Sequence, residues 1–187
     1  MPASKRMYPR RVAALLPIPV LLFFAEPVPS FFAAGIAVAV LGEVLRLWAA
    51  GHLRKNQAVI TSGPYAHVRN PLYVGTFLIG FGFCLAASSL VPPGLYFLAL
   101  GLPIFTGVFF FYYLPYKCRV ETARLERRFD EEARDYNETV PAFVPRLKPY
   151  PGPRQPWNGR LIFENSEFGT FSAVCVGIAL LGLKFFI

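Results

Sequence analysis

Charge and metal-binding residues are what this sequence has little of. Charged side chains make up 16% of its 187 residues and apolar ones 55%, whereas about a quarter of a soluble domain is charged. That scarcity excludes an ordinary soluble fold and places the chain among membrane proteins, as a single membrane domain over 1–187. Three cysteines and two histidines are present. Cys84 and Cys175 fall inside apolar runs and Cys118 at the end of one, which suits neither a disulfide framework nor a zinc site. His52 and His67 are too few and too scattered for a metal centre, so no metal is expected. Internal repeats are absent too. The net charge of +8 would suggest nucleic acid as a partner for a soluble protein. The apolar runs set that aside, and the expected partner is the lipid bilayer.

Those runs are Val12 to Ala25, Ser30 to Ala50, Leu72 to Leu90, Gly94 to Leu114 and Phe168 to Ile187. A helix crosses the hydrocarbon with roughly 20 apolar residues. The reading is an all-α bundle of about five transmembrane helices. The first run is the weakest, being short and carrying Pro17 and Pro19. It follows the basic stretch Lys5, Arg6, Arg10 and Arg11, as a signal peptide would, but Glu26-Pro-Val-Pro offers no small-residue cleavage site, so it reads as a retained helix. Arg54, Lys55 and Arg69 lie between the second and third runs, and a larger basic group spans Lys117 to Arg160. The connections from Glu26 to Pro29 and from Ser88 to Pro93 hold no Lys or Arg. Positive-inside asymmetry then puts the N-terminus and both basic regions in the cytoplasm, in an inner bacterial membrane. Lys184 is the exception and snorkels.

Lys117 to Glu167 divides into two parts. In the first, Leu125, Phe129, Ala133 and Tyr136 recur at helical spacing among charges of both signs, predicting an amphipathic helix from Val120 to Tyr136 at the membrane face. The second holds Pro141, Pro145, Pro149, Pro151, Pro153 and Pro156 and reads as an extended strap. Glu43 and Arg46 lie three apart on one helical face and read as an interfacial salt bridge. Gly169, Gly177 and Gly182 would permit close approach of the last helix to a neighbour.

Two segments carry the candidate chemistry, and the topology puts both on one side. They are TSGPYAHVRNPLYVG, Thr61 to Gly75, with turn signals at Ser62-Gly63-Pro64 and Asn70-Pro71, and YKCRVETARLERRF, Tyr116 to Phe129. The ordered combination SGPYxxxRNPxYxG, a helical hairpin, ExxxLxxxF and finally VPxFVP resembles the isoprenylcysteine carboxyl methyltransferase family and its phospholipid methyltransferase-like bacterial relatives. The resemblance covers Leu45 to Pro145, leaving 146–187 as a Pro-rich strap and C-terminal helix outside that core.

The resemblance implies a membrane-embedded methyltransferase using S-adenosyl-L-methionine. Residues Gln57, Ala58, Val59 and Ile60 would form a strand-like wall for the adenosyl part. Tyr65, Asn70, Pro71, Leu72, Tyr73 and Glu121 would bind the cofactor, with Asn70 standing where the family usually has histidine. Lys117 and Arg119, near the family's substrate arginine, would act as catalytic cations on a lipid-borne or apolar acceptor, either a prenylcysteine-like carboxylate or a phospholipid amine. Methyl transfer from a sulfonium is an in-line displacement that needs positioning and exclusion of water above all. Two alternatives stay open at this point: a sterol-type membrane reductase using NADPH, and a non-catalytic membrane scaffold or small transporter.

Overall fold

A computed structural model describes residues 22–55 and 57–186, the side chain of Asp130 excepted. Among the described residues the chain is all-helical, with no strand. Helix α1, Pro29–Ala50, starts with proline in its first turn, where the missing amide hydrogen costs nothing. Helix α2 is Pro71–Ala86, again opened by proline. Helix α3 runs continuously over 94–139 and contains two wider π segments, Phe97–Gly101 and Phe109–Tyr113. A short helix α4, Arg160–Glu164, leads into α5, Glu167–Leu183.

Two helical stretches, Pro29–Ala50 and Gly94–Phe129, are long and apolar enough to cross a membrane. The apolar helices Pro71–Ala86 and Glu167–Leu183 are shorter, at 16 and 17 residues. At 1.5 Å per residue they reach about 24 and 26 Å, slightly less than a hydrocarbon core of ~30 Å. Most of the first apolar run, from Val12 onward, lies outside the described residues, as do Pro17, Pro19 and the basic N-terminal residues. Nor is the amphipathic segment a separate helix. Val120 to Tyr136 continues the preceding apolar helix without a break: the missing amide of Pro115 falls just after the wider π turn, and no proline or glycine follows it before Thr139.

Helices α1 and α2 pack backbone to backbone. A Cβ added at Gly35 would sit 2.3 Å from the Ala86 amide nitrogen and 2.4 Å from the Gly82 carbonyl oxygen, and one at Gly42 would sit 2.7 Å from the Gly75 oxygen. Small residues thus let the two helices touch where apolar surface alone supplies little drive. This stripe, rather than Gly169, Gly177 and Gly182, sets the closest helix contact. Gly169 faces open space, and Gly177 meets only the ring of Phe83. Between α2, α3 and the strap, Phe77, Phe105, Phe109, Phe110 and Phe143 stack at centroid distances of 5.0 to 6.1 Å.

The period-four apolar face of α3 packs as its spacing predicts. Ala133 and Tyr136 are buried with Val59 and Val140, and Leu125, Phe129 and Tyr150 pack around them. This cluster joins the helix to the loop after α1, which brings the two polar segments together.

Candidate functional site

The site grows from the loop between α1 and α2. The end of α1 leaves carbonyls without helical partners, and Asn165 caps them by donating from Nδ2 to Ala50 O at 3.1 Å and to Leu53 O at 2.8 Å. The loop then turns at Gly63, whose φ of +59° suits glycine. A Cβ there would also run into the His52 ring, 2.3 Å from Cδ2. A short 3-10 turn, Gly63–Ala66, buries Tyr65. The Tyr136 hydroxyl donates to Tyr65 O at 2.8 Å, tying α3 to this turn.

The proline-rich strap laces over the loop. Backbone amides of Arg69, Arg146 and Tyr150 donate to Pro141 O, His67 O and Ala66 O at 2.8 to 2.9 Å. Asn70 Nδ2 donates to Ala142 O at 3.0 Å, and Thr61 Oγ1 to Pro153 O at 3.0 Å. Prolines supply carbonyls but no amide hydrogens, so at Pro141 and Pro153 the strap accepts, and its donors are the amides of Arg146 and Tyr150.

Between the loop after α1, the start of α2 and the polar half of α3 lies a cavity of about 250 Å³. Its apolar lining includes Val59, Ile60, Leu72, Leu125 and Phe129; its aromatic lining is Tyr65, Tyr73 and Tyr136. Five cations, Arg54, Lys55, Arg69, Arg124 and Arg128, line it against one carboxylate, Glu121. The Tyr73 hydroxyl donates to Glu121 Oε1 at 3.4 Å, and Arg124 Nη2 donates to Glu121 Oε2 at 2.5 Å. The arginine is 53% exposed, so the pair contributes little on its own and a ligand can exchange for it. Burial raises the Tyr65 and Tyr136 phenols well above the ordinary range, so both stay neutral. Burial lowers the His52 imidazole; its Nδ1 lies 3.3 Å from Ser62 Oγ.

Nine of the expected ligand-binding residues line this one cavity: Ala58, Val59, Ile60, Tyr65, Asn70, Pro71, Leu72, Tyr73 and Glu121. Gln57 is exposed and does not. The strand-like wall expected over Gln57, Ala58, Val59 and Ile60 is irregular backbone, since no neighbouring strand is there to pair with it. Lys117 and Arg119 stand apart from the cavity. Lys117 Nζ lies over the Tyr113 ring at 5.7 Å from its centroid, and Arg119 Nε donates to Pro115 O. Sequence reasoning named no cavity role for Arg69, which read as a positive-inside loop charge, or for Arg124 and Arg128, which read as charges on the amphipathic helix; all three line the cavity once the loop folds against α3.

A second polar cluster sits on α1. Glu43 and Arg46 do share a face, but the ion pair forms elsewhere: Arg46 Nη2 bonds Glu167 Oε2 at 2.5 Å, with side chains 12% and 8% exposed. Arg46 also donates to Leu72 O, Thr76 and Thr170. Neither carboxylate oxygen of buried Glu43 makes a hydrogen bond among the described residues. Among the described residues, no group of three His, Cys, Asp or Glu side chains converges as a metal site.

Known proteins place the chain differently from its motifs. It is 36% identical over 126 residues, 66% of its length and 53% of the relative's, to the cobalt-zinc-cadmium resistance protein CzcN of Cupriavidus metallidurans. It is 34% identical over 115 residues, 60% of its length and 47% of the relative's, to the nickel-cobalt-cadmium resistance protein NccN of Alcaligenes xylosoxydans xylosoxydans. The chain therefore spans about half the length of the curated relatives it matches. No family model and no solved structure matches it. These relatives are named for metal resistance. They overturn the resemblance to the isoprenylcysteine carboxyl methyltransferase family, and with it the methyltransferase activity and the enzyme reading. The physical reason is that turn prolines, interfacial tyrosines and one helix carboxylate build a lined cavity whatever occupies it, and the two cations expected to be catalytic lie outside that cavity. The reductase and scaffold or transporter alternatives fit the relatives no better.

Proposed function

We propose that this chain is an integral membrane protein of divalent-metal resistance whose cavity binds a small ligand with an apolar body and an anionic end, without holding the metal itself. The observation carrying the resistance reading is the similarity to CzcN over 126 residues. The cavity's charge supports the rest. Five cations against one carboxylate repel a bare divalent ion and favour an anion, while Val59, Ile60, Leu72 and Phe129 take up an apolar body.

The membrane arrangement extends the two long apolar stretches to five spans, with Pro71–Ala86 and Glu167–Leu183 tilted little and the cavity at the cytoplasmic interface. In this position the ligand reaches the cavity from the bilayer or from the adjoining water. S-adenosyl-L-methionine belongs in the ligand panel as a contrast: its carboxylate is joined to an ammonium and a sulfonium, so it is a net cation that the cation-rich lining should hold more weakly than an anionic amphiphile.

The test pairs a growth assay with a binding assay. A metal-sensitive bacterial host carrying the chain should tolerate more cobalt, zinc, cadmium or nickel than the empty host, and Arg69→Gln should lose that gain. Purified protein in detergent should be stabilised by anionic amphiphiles more than by neutral ones of equal chain length. Unchanged metal tolerance would sink the resistance role, and equal stabilisation by neutral amphiphiles the ligand class.

A further inference from the structure

A second, shallower groove lies on the outside of α3, and Arg124 and Arg128 form the wall it shares with the cavity. The groove is lined by Val120, Ala123, Arg124, Arg127 and Arg128. Toward the apolar end of the helix it continues into an exposed stripe: Ile104 at 61%, Val108 at 56%, Tyr112 at 73%, Tyr116 at 55% and Val120 at 48% exposed. These residues recur every four positions. A 3.6-residue helix carries such a row gradually around its axis, and the wider π segment Phe109–Tyr113 takes part of that drift back. From Ile104 to Val120 the stripe is about 24 Å long, more than one leaflet of hydrocarbon at ~15 Å.

Charge along α3 is segregated as well. Lys117, Arg119, Arg124, Arg127 and Arg128 face only Glu121 and Glu126 in the half next to the stripe, whereas Asp130, Glu131, Glu132, Asp135 and Glu138 crowd the far half with Arg134. Arg127 and Arg128 are exposed, and no described carboxylate pairs with either. An apolar track long enough to span one leaflet that ends in arginines has the shape and charge of one particular partner.

We propose that this groove is a binding site for an anionic phospholipid of the surrounding bilayer. The phosphate-bearing headgroup lies against Arg124, Arg127 and Arg128, with an acyl chain along Val120, Tyr116, Tyr112 and Val108. Guanidinium forks match phosphate oxygens, and each basic residue at a membrane surface contributes about fivefold in affinity for anionic lipid. Because Arg124 also bonds Glu121, a headgroup on the outer face competes with Glu121 for it, so lipid occupancy loosens one wall of the cavity. The inference rests on the membrane reading above.

The experiment uses the full chain. Carbonate extraction of membranes first separates the two ideas: release of the protein into the wash overturns the membrane reading and this inference together. With the protein retained, thermal unfolding in detergent is followed on adding phosphatidylglycerol, phosphatidylcholine or inorganic phosphate. Stabilisation by phosphatidylglycerol alone, weakened about fivefold in Arg127→Gln and kept in Arg127→Lys, supports the site. Arg127 lies outside the cavity, so in detergent without added lipid Arg127→Gln should leave cavity-ligand binding unchanged, which shows that the variant is folded. Equal effects of the two lipids, equal stabilisation by free phosphate, or full retention in Arg127→Gln overturns the inference while leaving the membrane reading intact.

Discussion

Replacing Arg46 with glutamine should destabilise the chain far more than replacing Glu167, although the two form one ion pair. Both side chains are nearly enclosed, at 12% and 8% exposure, and breaking such a pair costs about 3–5 kcal/mol because the partner is left charged and unmatched. The surroundings make the two losses unequal. Without Glu167, Arg46 keeps Leu72 O, Thr76 Oγ1 and Thr170 Oγ1, and Glu43, one helical turn away and without a hydrogen bond among the described residues, can serve as counter-ion. Glu167→Gln should therefore cost about 1–3 kcal/mol. Without Arg46, Glu43 and Glu167 are both left uncompensated, and Arg46→Gln should reach the upper end of the 3–5 kcal/mol range or pass it. The assay is denaturant unfolding in mixed micelles of Arg46→Gln, Glu167→Gln, Glu43→Gln and the Glu43→Gln/Glu167→Gln double variant. The double variant should be worse than the sum of its singles, since either carboxylate alone can match the arginine. Equal single losses for Arg46 and Glu167, or an additive cycle, would refute the shared counter-ion.

Three further outcomes follow from the packing and the site. Gly82→Ala would place a Cβ 2.5 Å from Gly35 O and 2.6 Å from the Ala39 amide nitrogen; both are backbone, so α1 and α2 must part, at about 1–3 kcal/mol in unfolding free energy. Tyr136→Phe removes the donor to Tyr65 O and should cost about 1–3 kcal/mol, with faster proteolysis of the loop over residues 61–69. His52, whose pKa burial holds below 6.5, makes the unfolded chain bind its proton first. Its contribution to stability is thus complete above about pH 6.5 and falls as pH drops toward the folded value; urea midpoints measured across pH 7 to 5 should show that decline, reduced in His52→Gln.

Which features were legible in the sequence depended on the range of the interaction. The packed face of α3 was legible because Leu125, Phe129, Ala133 and Tyr136 repeat at a local period. The cavity-lining residues were legible in part, since Pro64, Asn70 and Pro71 announce turns beside tyrosines. Arg46 and Glu167 were not, because 121 residues separate them and Glu43 offered a nearer partner by spacing alone. The lacing of the strap was hidden for another reason: it runs through backbone amides and carbonyls, which every residue has. The motif combination pointed to residues that line one cavity and to a family that the relatives overturn, because side chains that shape a pocket do not name its occupant.

The same distance along the chain sets a timetable for biosynthesis. Arg46 is synthesised long before its partner, for at 5–20 residues per second the ribosome needs roughly 6 to 24 s to add the 121 residues that end with Glu167. During that interval the nearest carboxylate belongs to Glu43, already synthesised and one turn back on the same helix. The full set of contacts around the arginine therefore has to wait for α5, and until then Glu43 is the carboxylate that the local sequence supplies.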